Sequence, residues 1–231
     1  VSEESGQRRR ELSSQFVLDL GFRTALNRDD FIVAPCNAGA VAAIDRWPDW
    51  RGGMMALCGP PGSGKTHLAE VWRSASGARC IEGHALKADD LPGLMSVRAV
   101  VVENGENLRD ENALFHLFNM ATEEKVCLLL TGQRAPARWN VKLADLASRL
   151  SVIPVYTLAP PDDETLRAVL EKLFRDRQLS LTAKLADYLL MRMERSFAAA
   201  RDVTAALDRA SMAQKRKLTV ALAREVLVAP E

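Results

Sequence analysis

The sequence predicts an α/β protein, a P-loop core built on a parallel five-stranded sheet followed by a small all-helical domain. Three observations carry this. Five short β-rich runs, MMALC (54–58), RCIEG (79–83), RAVVVE (98–103), KVCLLLTG (125–132) and SVIPVY (151–156), alternate with helix-length segments. Near-continuous apolar strands spaced in this way belong to a parallel sheet covered on both faces. The stretch GPPGSGKT, residues 59–66, directly follows the first of these runs, and after Pro160 and Pro161 only helical patterns remain.

Along the chain, residues 1–28 begin polar and charged and carry one apolar cluster, QFVLDLGF (15–22), the pattern of a flexible arm with a single adhesive segment. The α/β core is expected over 29–158. Its GPPGSGKT stretch fits G-x-x-x-x-G-K-[ST] and lies between a strand and the helical HLAEVWRSA, the context that phosphate binding requires. A chance match in a chain of this length is expected about one time in a hundred. The glycines among Pro61, Gly62, Ser63 and Gly64 let backbone N–H groups turn inward around phosphate oxygens. Lys65 supplies a point charge, Thr66 offers a hydroxyl to Mg2+, and the following helix adds its dipole.

VVVEN (100–104) is the natural partner strand and puts Glu103 at its carboxyl end, where open α/β sheets bind ligands. Glu103 can hold Mg2+ through a water. Asn104, standing where a second carboxylate would activate the attacking water, is a poor general base. Shifting the register makes Glu103 the water-positioning group and leaves Val102 at the metal position, which also impairs hydrolysis. A simple turn at Asn104-Gly105 is compatible with either register. Further on, LADLASRL (143–150) places Arg149 near the rim of the domain. It reads either as a salt-bridge partner or as a guanidinium projected into a neighbour's phosphate site, and periodicity does not choose between them. The helical domain, expected over 159–231, opens with DDETLRAVLEKLFRDRQ (162–178), acidic in its first turn. TAKLADYLLMRMER, AAARDVTAALDRASMAQ and TVALAREVL follow, each with apolar residues at three- and four-residue spacing.

Composition narrows the function classes. The chain has 231 residues, 48% hydrophobic and 26% charged, enough for a proper core and at most about two domains. No apolar run approaches the roughly 20 residues of a membrane helix and no signal-peptide core follows the charged start, so no membrane association and a cytoplasmic location are expected. Cys36, Cys58, Cys80 and Cys127 show no metal spacing and are expected to be reduced, structural thiols. A net charge of +1 gives no global attraction to nucleic acid, and the basic runs at Arg8–Arg10 and Lys215–Lys217 read as solvated charge.

With these motifs in place, residues 29–228 resemble the AAA+ proteins of the bacterial DnaA family, in particular its short Hda-like members. FIVAPCN (31–37) is similar to the family's N-terminal nucleotide box, F-V-x-G-x-x-N, with Ala34 in place of the glycine. That likeness implies Phe31, Ile32 and Val33 near adenine, with Asn37 completing the box. GPPGSGKTHL carries over as the Walker A loop, from Pro61 to His67. LASRL resembles the family's box VII and makes Arg149 the position of its arginine finger. RDVTAALDR (201–209) is similar to the sensor II helix and implies that Arg201 contacts bound phosphates. TGQR (131–134) stands where sensor I usually carries Ser-Asp.

The resemblance implies an AAA+ core with a helical lid, holding ADP or ATP with Mg2+. It implies a negative regulator of chromosome replication initiation that stimulates ATP hydrolysis by DnaA through Arg149 in trans, with weak hydrolysis of its own. QFVLDL (15–20) matches the Q-x-x-L-x-L pattern of peptides that dock on the sliding clamp, the β subunit of DNA polymerase III. Gln15 would make hydrogen bonds while Phe16, Leu18 and Leu20 fill an apolar pocket; packing on the protein's own body is the alternative. Because the sequence stops at Glu231, just after the lid, no helix-turn-helix domain and no sequence-specific DNA binding are expected; a homodimer is left open. The rival class is an autonomous AAA+ ATPase such as a helicase loader.

Overall fold

The computed structural model of the chain describes residues 32–94 and 96–228. Met54–Cys58 (β1), Arg79–Glu82 (β2), Ala99–Glu103 (β3), Cys127–Gly132 (β4) and Val155–Thr157 (β5) form one sheet in the order β2-β3-β4-β1-β5. Every neighbouring pair is parallel. Side chains alternate across a strand with period two, and both faces here are apolar. Val100, Val102, Leu128 and Leu130 face Leu114, Leu117 and Phe118 of Glu111–Glu124 and Leu146 and Leu150 of Ala144–Val152. Ala99, Val101, Leu129 and Leu57 face Val41 and Ile44 of Ala38–Ile44 and Leu68 and Trp72 of Lys65–Ser76. In chain order these helices are α1 (Ala38–Ile44), α2 (Lys65–Ser76), the short α3 (Leu91–Leu94), α4 (Glu111–Glu124) and α5 (Ala144–Val152).

Two elements differ from the sequence expectation. SVIPVY is not a strand throughout: residues 151–152 end α5, and the strand spans only Val155–Thr157. The cause is Pro154, which pushes the residue before it out of the helical region, and Ile153 is accordingly extended at φ −66°, ψ 133°. The four thiols are free, but Cys80 is exposed whereas Cys58 and Cys127 are buried. Cys80 lies on β2, an edge strand paired on one side only.

Beyond Pro161 the chain forms Asp163–Asp176 (α6), Ala183–Arg192 (α7), Phe197–Gln214 (α8) and Val220–Val228 (α9). Three of these helices start on a side chain that caps them. Asp162, Thr182 and Ser196 accept the backbone N–H of Thr165, Leu185 and Ala199, each satisfying a donor the helix cannot. Leu166, Leu170, Phe174, Leu189 and Leu207 form their own apolar cluster, and Ile32 and Ala34 belong to it rather than to the sheet's clusters. The segment at 32–37 is therefore a seam between the two layers, and the Ala159 N–H donates to the Cys36 carbonyl at 3.0 Å. Among the described residues no helix is long and apolar enough to cross a membrane.

Candidate functional site

The sheet order leaves the carboxyl ends of β1, β3 and β4 side by side, where ligands of open α/β sheets bind. Residues 59–64 follow β1 and curl back, with Gly62 and Gly64 at φ of 73° and 95°, a backbone that a Cβ opposes. Gly64 takes the cap position of α2 without a side-chain hydrogen bond. In contrast to the capped helices beyond Pro161, the first N–H groups of α2 are left for an anion.

Lys65 is 8% exposed. Its ammonium donates to the carbonyls of Gly59 and Pro60, both at 2.8 Å. Burial pulls its pKa down, and the charges of Glu106, Cys58 and Glu103 oppose that pull. Beside it, Glu103 is 9% exposed and both its oxygens are engaged. Oε2 accepts the Thr66 hydroxyl at 3.2 Å, and Oε1 accepts the Cys80 thiol at 3.8 Å. Burial pushes the Glu103 carboxyl above its usual range; the Thr66 hydrogen bond works against the rise and the Glu82 charge adds to it. Burial, then Glu103 itself, raise the Cys80 thiol to about 11.

Two hard oxygen donors this close, one of them a carboxylate, suit Mg2+, which takes few protein ligands and completes its shell with phosphate and water. Such an ion would neutralise phosphate charge there. No cluster of three or more His, Cys, Asp or Glu suited to a metal occurs among the described residues, which separates this arrangement from an all-protein metal cage.

Asn104 is in the left-handed region at φ 51°, ψ 47°, a conformation Asn tolerates better than most residues. Its side-chain amide donates to Glu82 Oε2 at 3.0 Å and its backbone N–H to the Thr131 hydroxyl at 3.1 Å. Asn104 is therefore both the turn residue and a group whose amide is tied to β2. Past it, the Gln133 N–H donates to Glu106 Oε1 at 2.9 Å, while Glu106 Oε2 is buried without a hydrogen-bond partner among the described residues. The sequence reading missed Glu106, Gln133 and Cys80. Glu106 was discoverable as the next acid after Glu103-Asn104; the others required knowing which strands are neighbours.

A cavity of about 540 Å³ opens between this loop and the helices beyond Pro161, lined among others by Ile32, Pro61, Gly62, Gly64, Lys65, Thr66, His67, Asn104, Gln133, Phe197 and Arg201. Arg201 reaches across from α8 to His67, with Nη2 and Nδ1 3.1 Å apart. Val33 packs against the cluster under α1 and α2. Asn37 is buried and spends its amide on its own loop, accepting from the Ala34 N–H and donating to the Ile32 carbonyl at 2.8 and 2.9 Å. It thus shapes the segment that carries Ile32. The Ser63 hydroxyl is buried without a hydrogen-bond partner among the described residues. Phe31, Gln15, Phe16, Leu18 and Leu20 lie outside the described residues.

Arg149 is half-exposed on α5 and does not line this cavity. Its guanidinium carbon stands 5.0 Å from the centre of the Phe115 ring, and no ion pair or hydrogen bond engages it among the described residues.

Residues 162–227 match the family model of the Hda lid domain. The whole fold is similar to domain III of the replication initiation protein DnaA from Thermotoga maritima, at 20% identity, covering 88% of this chain and 98% of that one with a TM-score of 0.68. The chain thus joins a fold like that of DnaA domain III to a helical region that matches the Hda lid domain. A replication initiator DnaA bound to AMPPCP and single-stranded DNA aligns at 17% identity over 84% of this chain and 69% of that chain, with a TM-score of 0.64. A RuvB variant from Thermotoga maritima aligns at 18% identity over 83% and 67%, with a TM-score of 0.61. At such identities the likenesses establish the AAA+ fold alone, and the lid match concerns residues 162–227.

Proposed function

We propose that this AAA+ protein binds ADP or ATP with Mg2+ in the cavity under its lid, residues 159–231, and uses the resulting rigid body to present Arg149 to ATP held by DnaA. DnaA then hydrolyses its own nucleotide and initiation is shut down. Docking through Gln15, Phe16, Leu18 and Leu20 on the sliding clamp would bring the chain to DNA, and the site of action is the cytoplasm.

The observation that carries this reading is the state of Arg149. A cation of this kind usually rests on a carboxylate; Arg149 rests on an aromatic ring, which orients a guanidinium without neutralising it. It is thereby available to phosphate oxygens on another molecule, where an arginine finger contributes about 10³ to 10⁵ in rate. The chain's own hydrolysis is disfavoured in the same reading, because the Asn104 amide is turned to Glu82 and offers no base. The likeness to RuvB, one of whose structures is described as a Holliday junction branch migration motor, keeps a second reading in view, an autonomous ATPase that spends its own turnover on work.

ATP turnover by DnaA, measured with and without this chain and clamp-loaded DNA, separates the two. The regulator reading expects stimulation by the wild-type chain, its loss in Arg149→Ala, and weaker stimulation in Gln15→Ala. An unchanged stimulation in Arg149→Ala overturns it. Steady turnover by the isolated chain, abolished by Lys65→Ala, would instead install the motor.

A further inference from the structure

Glu103 has a soft torsion at its carboxylate: the terminal angle of Glu is broad and nearly two-fold, so burial alone does not fix which oxygen faces Thr66. Two donors fix it here. Thr66 approaches Oε2 from α2, and Cys80 approaches Oε1 from β2, on the opposite side of the carboxylate carbon. The pairing register accounts for the second contact. Cys80 pairs with Val101, and Glu103, two residues further along β3, returns to the same face of the sheet as Val101.

The two donors are not equivalent once a cation arrives. The Thr66 hydroxyl is itself a candidate ligand and would turn its lone pair to the metal, releasing Oε2. The thiol of Cys80, a weak donor, would then be the group still restraining the carboxylate. Cys80 also lines an open cleft with Arg73, Arg79, Asp89 and Asp90, so its side chain fills no core volume that truncation would vacate.

We propose that Cys80 is a positioning residue for the metal-binding carboxylate, its thiol holding Glu103 Oε1 so that Oε2 stays aimed at the cation beside Thr66. This rests on the reading of Glu103 and Thr66 as the Mg2+ ligands. It assigns the exposed thiol of the edge strand a place in the nucleotide site, although Cys80 touches neither nucleotide nor metal.

The test is calorimetric titration of the full chain with ADP, once with Mg2+ and once with EDTA, for wild type, Cys80→Ala and Cys80→Ser. The wild type is expected to bind ADP more tightly with Mg2+. Cys80→Ala should lose about 10-fold of that gain, the usual cost of removing a partner behind a metal ligand, with its affinity in EDTA and its ligand-free melting temperature unchanged. Cys80→Ser, which restores a donor, should recover the gain. A full gain in Cys80→Ala overturns the proposal, and so does a loss that Cys80→Ser fails to repair, because packing would then be the cause. A wild-type chain with equal ADP affinity in Mg2+ and EDTA overturns the assignment of Glu103 and Thr66 as metal ligands, and this proposal with it.

Discussion

Around the phosphate loop, charges are answered from within the chain: Lys65 by the carbonyls of Gly59 and Pro60, Glu103 by Thr66 and Cys80. On α5, Arg149 has, among the described residues, only the ring of Phe115. Both cations are removed in part from water, and the cost of doing so is normally met by a pairing partner. In the proposed reading, the group with an internal partner serves a ligand the chain itself encloses, and the group without one serves a ligand carried by something else. A cation over an aromatic ring gains about 0.5–1 kcal/mol at an exposed site, enough to hold a direction and too little to retain the group against a phosphate.

The sharpest way to break this contrast is to delete each cation in turn. Arg149→Ala should lower DnaA hydrolysis stimulated by the chain by about 10³ to 10⁵ while leaving the chain's own ADP affinity untouched, as titration calorimetry would register. Lys65→Ala should do the reverse in the binding assay, abolishing ADP binding. If both variants lose both properties, the two regions are not separable and the contrast is wrong. Phe115→Ala sharpens it further: losing the ring should lower stimulation only about two- to fivefold, the worth of the cation–π contact, because the guanidinium is still present and has lost only its rest position.

A middle-sized effect tests whether the ends of β3 and β4 are built as one unit. Gly105 and Gly132 both lie against the Trp139 ring, and a Cβ on Gly105 would come within 2.1 Å of the ring's edge. The indole is tied down by its Nε1–H, which donates to the Arg134 carbonyl at 2.9 Å, so it has little room to yield. Gly105→Ala should cost about 1–3 kcal/mol in urea unfolding, the price of overpacking, and should displace the turn that carries Asn104 and Glu106. A neutral substitution would show that the ring moves freely and that the two strand ends are independent.

The layered α/β core was legible because its information is local: apolar runs of strand length, Gly-rich punctuation before α2 and the proline boundary at 160–161. The fifth strand was misread in its first half because β-branched residues fit a helix terminus as well as a strand, and only Pro154 decided between them. Within the site, Lys65 and Thr66 follow from a contiguous motif. Cys80 and Gln133 do not, since their contacts with Glu103 and Glu106 arise from β2 lying beside β3 and β4 beside β3, an order that no run of residues encodes. Asn37 adds something the motif did not state. The resemblance placed it in the nucleotide box, and its amide is bonded to the backbone of residues 32–34, so a residue shared with a binding motif can also serve that motif's shape. The lid's contribution of Phe197 and Arg201 was half visible, Arg201 through a motif and Phe197 not at all, because an apolar residue on an amphipathic helix looks the same whether it faces a core or a cavity.

The smallest effect reads the phosphate-loop side of the contrast through pH. The Glu103 carboxyl is raised on folding, chiefly by burial, so the folded chain holds that proton more firmly than the unfolded chain does. Stability must then fall as pH rises from the ordinary carboxylate range through the raised value, and the full penalty is present above it. Glu103→Gln keeps the shape and an acceptor for Thr66 but never ionises. In EDTA it should therefore melt above wild type at neutral pH, and the difference should disappear as pH falls below the ordinary carboxylate range, where Glu103 is protonated in both states. With Mg2+ and ADP the order should invert, because ligand binding to the folded state stabilises by mass action and the amide is the weaker ligand for a hard cation. A wild type already more stable than the variant in EDTA at neutral pH would mean that the donors from Thr66 and Cys80 outweigh burial, and that the site is satisfied without a cation.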